Sequence, residues 1–276
     1  MSTMTRSTED KRSAFRALHA QGCFVLPNPW DVGSARLLQH LGFPALASTS
    51  AGFAWTTWRP DYAVTRADVL QHLRTLCAAV DVPLNADFES GFAREPEAVA
   101  DNVRLALDTG VAGLSIEDRQ VAPPFGLYEL VLATERIRAA RRAIDQSGTG
   151  AVLVARTEGL LQDPTALAPA IDKLVSFAEA GADCLYAPGV RAREDIATIV
   201  RAVAPKPVNV LMMRPGLAVA ELADLGVRRI SVGGALARVA WGAMLATARQ
   251  MLAGSFDGLA GGTPGTELND VFETFS

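Results

Sequence analysis

The stretch "VPLNADFESGF", Val82 to Phe92, decides how the rest of the chain is read. Its first half, small and branched apolar residues behind one proline, has the character of a buried strand. Its second half sets two carboxylates, Asp87 and Glu89, where that strand should stop. Seven other short apolar runs repeat the pattern: "CFVLPN" (Cys23 to Asn28), "ALASTS" (Ala45 to Ser50), "GLSIED" (Gly113 to Asp118), "AVLVART" (Ala151 to Thr157), "CLYAPG" (Cys184 to Gly189), "PVNVLM" (Pro207 to Met212) and "RISVGG" (Arg229 to Gly234). Between them lie longer segments with apolar residues at helical spacing, such as "DVLQHLRTLCAAV" and "EAVADNVRLALDTG". Several end at a glycine, Gly42, Gly110, Gly181 or Gly226, as a left-handed helix C-cap prefers. Apolar strands alternating with helices predict a parallel sheet covered by helices, and eight such units predict an α/β fold of the (β/α)8 TIM-barrel type. An open doubly wound sheet is the alternative, weakened because no G-x-G-x-x-G follows the first strand.

Composition supports one large barrel, a single domain over residues 1–276. The chain is 49% hydrophobic and 20% charged with a net charge of −4, and no linker-like or low-complexity segment divides it. "ALARVAWGAMLATARQMLAG" supplies a last helix and "TPGTELNDVFETF" a short helical tail. The charge balance offers no footprint for nucleic acid or an anionic membrane, which leaves a small molecule as the expected partner. The polar start "MSTMTRSTEDKRSAF" is unlike a signal peptide, and no run reaches the roughly 20 apolar residues of a membrane span, so a cytoplasmic protein is expected. Cys23, Cys77 and Cys184 are far apart and odd in number, arguing for buried thiols over a disulfide framework or metal site. His19, His40 and His72 all precede residue 73 in helix-like stretches, which disfavours a histidine cluster.

Barrel enzymes keep their sites at the C-terminal ends of the strands. Here those ends carry Asn28 and Asp31, Thr49 and Ser50, Asp87 and Glu89, Glu117 and Asp118, then Arg156 and Glu158. An acid after a strand often caps the next helix, which is the simple reading of Asp118 and Glu158. Asp87, Glu89 and Glu117 together on adjacent strands point instead to a shared site. Carboxylates without histidine or cysteine suit a hard, oxygen-preferring ion such as Mg²⁺. Arg156 is suited to a substrate carboxylate or phosphate, or alternatively to an ion pair with Glu117 or Glu158.

On these residues the sequence resembles the isocitrate lyase and phosphoenolpyruvate mutase superfamily, from about Phe24 to Ala248. "DFESGFA", Asp87 to Ala93, is similar to the family's strand-three D-A-D-T-G-Y-G with glutamate for the second aspartate, and Phe88 stands where the family has alanine. "IED" (Ile116 to Asp118) matches the strand-four L-E-D and "VART" around Arg156 the strand-five A-R; "SAR" (Ser34 to Arg36) and "TRADVL" (Thr65 to Leu70) extend the match. The resemblance implies a barrel whose eighth helix is exchanged with a neighbour, in a homodimer or homotetramer. It also implies Mg²⁺, with Mn²⁺ as a substitute, held directly by Asp87 and through water by Glu89, Glu117 and Asp61. Thr49, Ser50 and Ala51 resemble the segment that grips a keto acid's carboxylate, and Arg156 its basic anchor. Asp31 follows the family pattern loosely and is read as the cap of a helix beginning near Ser34.

The family's lyases carry Lys-Lys/Arg-Cys-Gly-His on the loop after strand four. Here that loop, "RQVAPPFGLYELVLATERI" (Arg119 to Ile137), has no cysteine, lysine or histidine. Tyr128, Glu129 or a metal-bound water is left to supply the proton, Tyr128 being equally suited to packing under the loop, and Pro123, Pro124 and Gly126 suggest a shaped lid. Gly233 and Gly234 are read as close helix packing in preference to a phosphate cradle; Trp55 and Trp58 are read as a pocket wall or a subunit contact. The expected function is cleavage of a C–C bond, through an enolate, in a small α-keto or 2-hydroxy di- or tricarboxylate resembling oxaloacetate or methylisocitrate. The alternatives are C–P chemistry on a phosphonopyruvate-like substrate and a barrel that binds keto acids without turning them over.

Overall fold

Each of the eight apolar runs forms a strand in the computed structural model, which describes residues 6–123 and 125–274. Pro124 of the expected lid lies outside the described residues, as do 1–5 and 275–276. The chain runs α1 (Thr8–Ala20), β1 (Phe24–Leu26), α2 (Val32–His40), β2 (Leu46–Ala47), α3 (Ser50–Thr56), α4 (Arg66–Ala79), β3 (Leu84–Asp87), α5 (Pro96–Leu107) and β4 (Gly113–Glu117). It continues with β5 (Arg119–Gln120), β6 (Gly126–Leu127), α6 (Leu130–Ser147), β7 (Val152–Arg156), α7 (Gly159–Gln162), α8 (Leu167–Glu179), β8 (Cys184–Tyr186) and α9 (Arg193–Val203). The last elements are β9 (Val208–Leu211), α10 (Val219–Asp224), β10 (Arg229–Ser231), α11 (Ala235–Leu252), a 3₁₀ turn at Asp257–Gly261, and α12 (Gly265–Glu273).

The eight parallel strands neighbour one another in the order β1-β10-β9-β8-β7-β4-β3-β2. Beyond the short β1 and β2 ladders, the Ala47 amide donates to the Pro27 carbonyl at 3.1 Å. Asn28 stitches the same seam: its Nδ2 donates to the Ser48 carbonyl (2.9 Å) and its Oδ1 accepts from the Val232 and Gly233 amides (2.9 and 2.8 Å). The result is a nearly closed TIM barrel. Gly42, Gly110, Gly181 and Gly226 do adopt positive φ past their helices, at 89°, 92°, 101° and 88°.

Alternation along the strands assigns each residue a side. Leu114 and Ile116 of β4, Ala86 of β3 and Ala155 of β7 face the helices in the larger core, whereas Val152 and Val154 of β7, Cys184 and Tyr186 of β8 and Phe24 and Leu26 of β1 fill the barrel interior. Phe88 belongs to the outer core, edge-on to Phe92 at 5.1 Å, so the family's alanine is replaced without crowding the barrel mouth. At the bottom, Phe15 of α1 enters the interior, and a side chain at Gly113 would fall 2.8 Å from its ring. Basic residues fix α1 there by meeting carbonyls at the ends of α4 and α5. Lys11 donates to Val80 (2.5 Å) and Arg12 to Leu107 (2.7 Å), the favourable place for a cation on the helix dipole.

Three details refine the sequence reading. The loop after β4 contains a small antiparallel hairpin, β5 with β6, pairing Arg119 with Leu127. The helix expected near Ser34 begins at Val32, with Asp31 as its cap accepting the Ser34 amide at 2.7 Å. The last helix, α11, buries only Ala237 and leaves Val239 69% and Leu252 91% exposed. Among the described residues no helix is long and apolar enough to cross a membrane.

Candidate active site

The strand ends converge on an open cavity of about 820 Å³ at the C-terminal mouth, lined among others by Thr49, Ser50, Ala51, Asp61, Asp87 and Arg156. Alternation explains the set: Asn85 and Asp87 from β3, Ser115 from β4 and Arg156 from β7 all point inward, and β4 sets Glu117 opposite Arg156 in register. Asp87 is held from two sides. Its Oδ2 accepts the Ser50 amide at 2.9 Å and its own amide donates to Ser48 Oγ at 2.9 Å.

Arg156 is the cation of the cluster. Its Nε meets Glu158 at 2.5 Å, while Nη1 lies 3.3 Å from Glu117 and 3.6 Å from Asp87. Burial alone would lower its pKa, but Glu158 and Glu117 hold it well above the ordinary value. One guanidinium therefore serves three carboxylates.

The acids outnumber it. Glu89 and Glu117 are 4% and 2% exposed, and each has one oxygen, Oε1, without a hydrogen-bond partner. Burial pushes Glu89 up to about 8, with Asp87 and Glu117 adding repulsion. Burial pushes Glu117 up to about 8 as well, against the pull of Arg156. Glu89 also sits in left-handed backbone, φ 47°, strain of the kind that collects at functional sites.

Two orphaned carboxylate oxygens beside Asp87 fit a bound cation, which would neutralise charge that Arg156 leaves uncompensated. Among the described residues no group of three or more His, Cys, Asp or Glu side chains is arranged to hold a metal directly. An ion that keeps most of its water and takes few protein oxygens, as Mg²⁺ does, requires no such group.

Several sequence expectations change here. Tyr128 does not line the mouth: it is 6% exposed in the outer core, with the Arg136 guanidinium 4.0 Å from its ring centroid. Glu129 is exposed at the start of α6. Neither Asp118 nor Glu158 caps the helix that follows. Asp118 accepts from Thr157 Oγ1 and the Glu158 amide, each at 2.8 Å, and from Lys173 Nζ at 2.6 Å, whereas Glu158 pairs with Arg156. Thr49 spends its hydroxyl capping α3 through the Gly52 amide. Trp58 is 93% exposed, and Trp55 packs on Gly234, where a Cβ would lie 3.1 Å from its ring.

Tyr62 is the residue that sequence reasoning missed. It lines the mouth with left-handed backbone (φ 65°), and the Arg119 guanidinium of the hairpin lies 4.3 Å from its ring centroid. Burial and then Glu117 push its phenol up, so it stays protonated. Its only sequence signal was a phenol next to the loop aspartate, Asp61.

With this geometry in hand, the sequence profile of the phosphoenolpyruvate phosphomutase family matches residues 15–252. A crystal structure from Burkholderia cenocepacia J2315, described as a candidate lyase or mutase, superposes with a TM-score of 0.93 at 44% identity, covering 96% of this chain and 97% of that one. Oxaloacetate acetylhydrolase in complex with oxalate superposes with a TM-score of 0.85 at 26% identity, covering 96% and 95%. An oxaloacetate decarboxylase of Rhodopseudomonas palustris is 26% identical over 270 residues, 95% of this chain and 89% of that protein.

Proposed function

The chain belongs to the phosphoenolpyruvate phosphomutase family of lyases, hydrolases and mutases, and from that premise we propose that it cleaves a C–C bond in an oxaloacetate-like α-keto acid with the help of Mg²⁺. The observation that carries this reading is the pair of buried carboxylates, Glu89 and Glu117, each with an unpartnered oxygen beside Asp87 and Arg156. Mg²⁺, or Mn²⁺ in its place, would be held by Asp87 directly and by Glu89, Glu117 and Asp61 through water. It would supply Lewis-acid stabilisation of the negative charge that develops when the bond breaks.

The protein's own groups do the rest. Arg156, which meets Glu158, Glu117 and Asp87, offers its guanidinium to a substrate carboxylate. The Thr49–Ala51 turn shapes the side of the mouth where Asp87 is anchored. Tyr62 takes the place of the missing loop cysteine, donating its phenolic proton to the carbon left electron-rich by cleavage. The phenolate that results lies beneath Arg119 until water reprotonates it. The hairpin that carries Arg119 contributes that side chain to the rim of the mouth.

We further propose that α11 is exchanged between subunits of a dimer or tetramer, because its apolar side chains, Val239, Met244 and Leu245 among them, find no cover on their own barrel. Light scattering would register a monomer if this is wrong.

The test of the reaction is incubation with oxaloacetate and Mg²⁺, following pyruvate for decarboxylation and oxalate plus acetate for hydrolysis. The proposal fails if oxaloacetate, its alkyl derivatives and methylisocitrate all survive intact. The family's name favours a second reading, C–P bond chemistry, which phosphorus NMR of phosphonopyruvate would detect.

A further inference from the structure

Beside the mouth lies a second cavity of about 700 Å³, between the loops that follow β8 and β9. The two cavities share Leu161, Leu211 and Met213 as common wall, so they adjoin where α7 leaves the Arg156–Glu158 pair. Beyond that wall the side cavity is lined by Val190, Ile196 and Leu217, with Arg191 and Arg214 exposed on its margin.

Its shape is set by backbone. Gly189 has φ +99°, and a Cβ there would fall 2.8 Å from the Leu160 carbonyl oxygen, so the loop after β8 lies directly on α7. The shared wall is itself exposed: Leu161 by 45% and Met213 by 38%. Two apolar side chains facing water at a substrate mouth are costly unless a ligand covers them.

Building on the keto-acid reading of the mouth, we propose that the side cavity receives an alkyl branch of the substrate, longer than a methyl group, carried on the carbon next to the keto or hydroxyl carbon. A branch leaving the mouth past Leu161 and Met213 buries both and meets Val190, Ile196 and Leu217. Selectivity then follows from branch length, because each buried methylene strengthens binding by about fourfold.

Calorimetric titration in the presence of Mg²⁺ tests this with malate, 3-methylmalate, 3-propylmalate and 3-(2-carboxyethyl)malate. The dissociation constant is expected to fall by about fourfold per added carbon from methyl to propyl. Leu217→Trp, which fills the far end, should flatten the propyl-to-malate ratio measured within that one variant, a comparison insensitive to how much of it folds. Malate binding with no gain along the series overturns the branch cavity alone. Tighter binding of the carboxyethyl than of the propyl compound also overturns it, because the margin arginines would then be selecting an anionic arm. If neither malate nor oxaloacetate binds, the keto-acid reading falls and takes this inference with it.

Discussion

Glu117 and Asp118 are neighbours at the end of one strand and have opposite surroundings. Glu117 points into the barrel, shares Arg156 with two other acids and keeps one oxygen unpartnered. Asp118 points outward and is fully served: Thr157, the Glu158 amide and Lys173 all donate to it, and Lys173 also reaches the Tyr128 carbonyl at 2.8 Å. Both carboxyls are almost completely buried, so burial does not separate them. What separates a group that can react from one that holds the fold is whether its partners are complete.

The comparison can be broken most severely on the inner side. On the proposed reading, Asp87→Ala, which removes the acid assigned to direct contact with the cation, should lower kcat/KM for the proposed keto-acid substrate by about a thousandfold. Circular dichroism should show the fold intact; an unchanged rate would mean that the inner acids are structural like Asp118. On the outer side, Lys173→Met strands a buried carboxylate and should cost about 3 kcal/mol of stability in urea unfolding. A midpoint equal to that of the parent protein would remove the distinction from the other direction.

Tyr62→Phe keeps the ring under Arg119 and deletes only the hydroxyl group. A fall in kcat of about a hundredfold with little change in KM is expected, and a mere change in KM would reduce Tyr62 to a wall of the pocket. The smallest effect concerns His19, which is buried, and His72, which is half-buried, each with a buried and unpartnered Nε2. Burial depresses both to about 4. Because these imidazoles bind protons from about pH 6.5 downward in the unfolded chain and not in the folded one, their contribution is fully present above that value and is lost as pH falls towards 4. Between pH 7 and pH 5.5 each histidine should cost roughly 1 kcal/mol of stability, against an opposite gain from Glu89 and Glu117, whose raised carboxyls take up protons in the folded chain first. The histidine share is read by difference, His72→Gln losing about 1 kcal/mol less than the parent protein over that interval.

The strands were legible because a barrel strand buried on both faces is continuously apolar, and because the acids interrupt that pattern at one end only, as in "LNADFES". The same alternation brings Asp87 and Arg156 to one mouth and aligns Glu117 with Arg156. Tyr128 and Tyr62 exchanged roles because a loop tyrosine's direction depends on contacts distant in sequence. Arg136 draws Tyr128 into the outer core, and a left-handed turn after Asp61 sends Tyr62 to the mouth. Lys173 was illegible as Asp118's partner for the same reason: 55 residues separate them, and only the packing of α8 brings them together.

Phe15 determines which way traffic flows through this molecule. With α1 fastened across the underside and that ring seated 5.9 Å below the buried Arg229 guanidinium, the barrel is a cup, filled and emptied from its rim alone. Shortening the chain past Phe15 would uncover the underside of that packed interior, exposing the buried Arg229 and Asn85 side chains from below. The first helix, far from the acids at the rim, is the floor on which the interior rests.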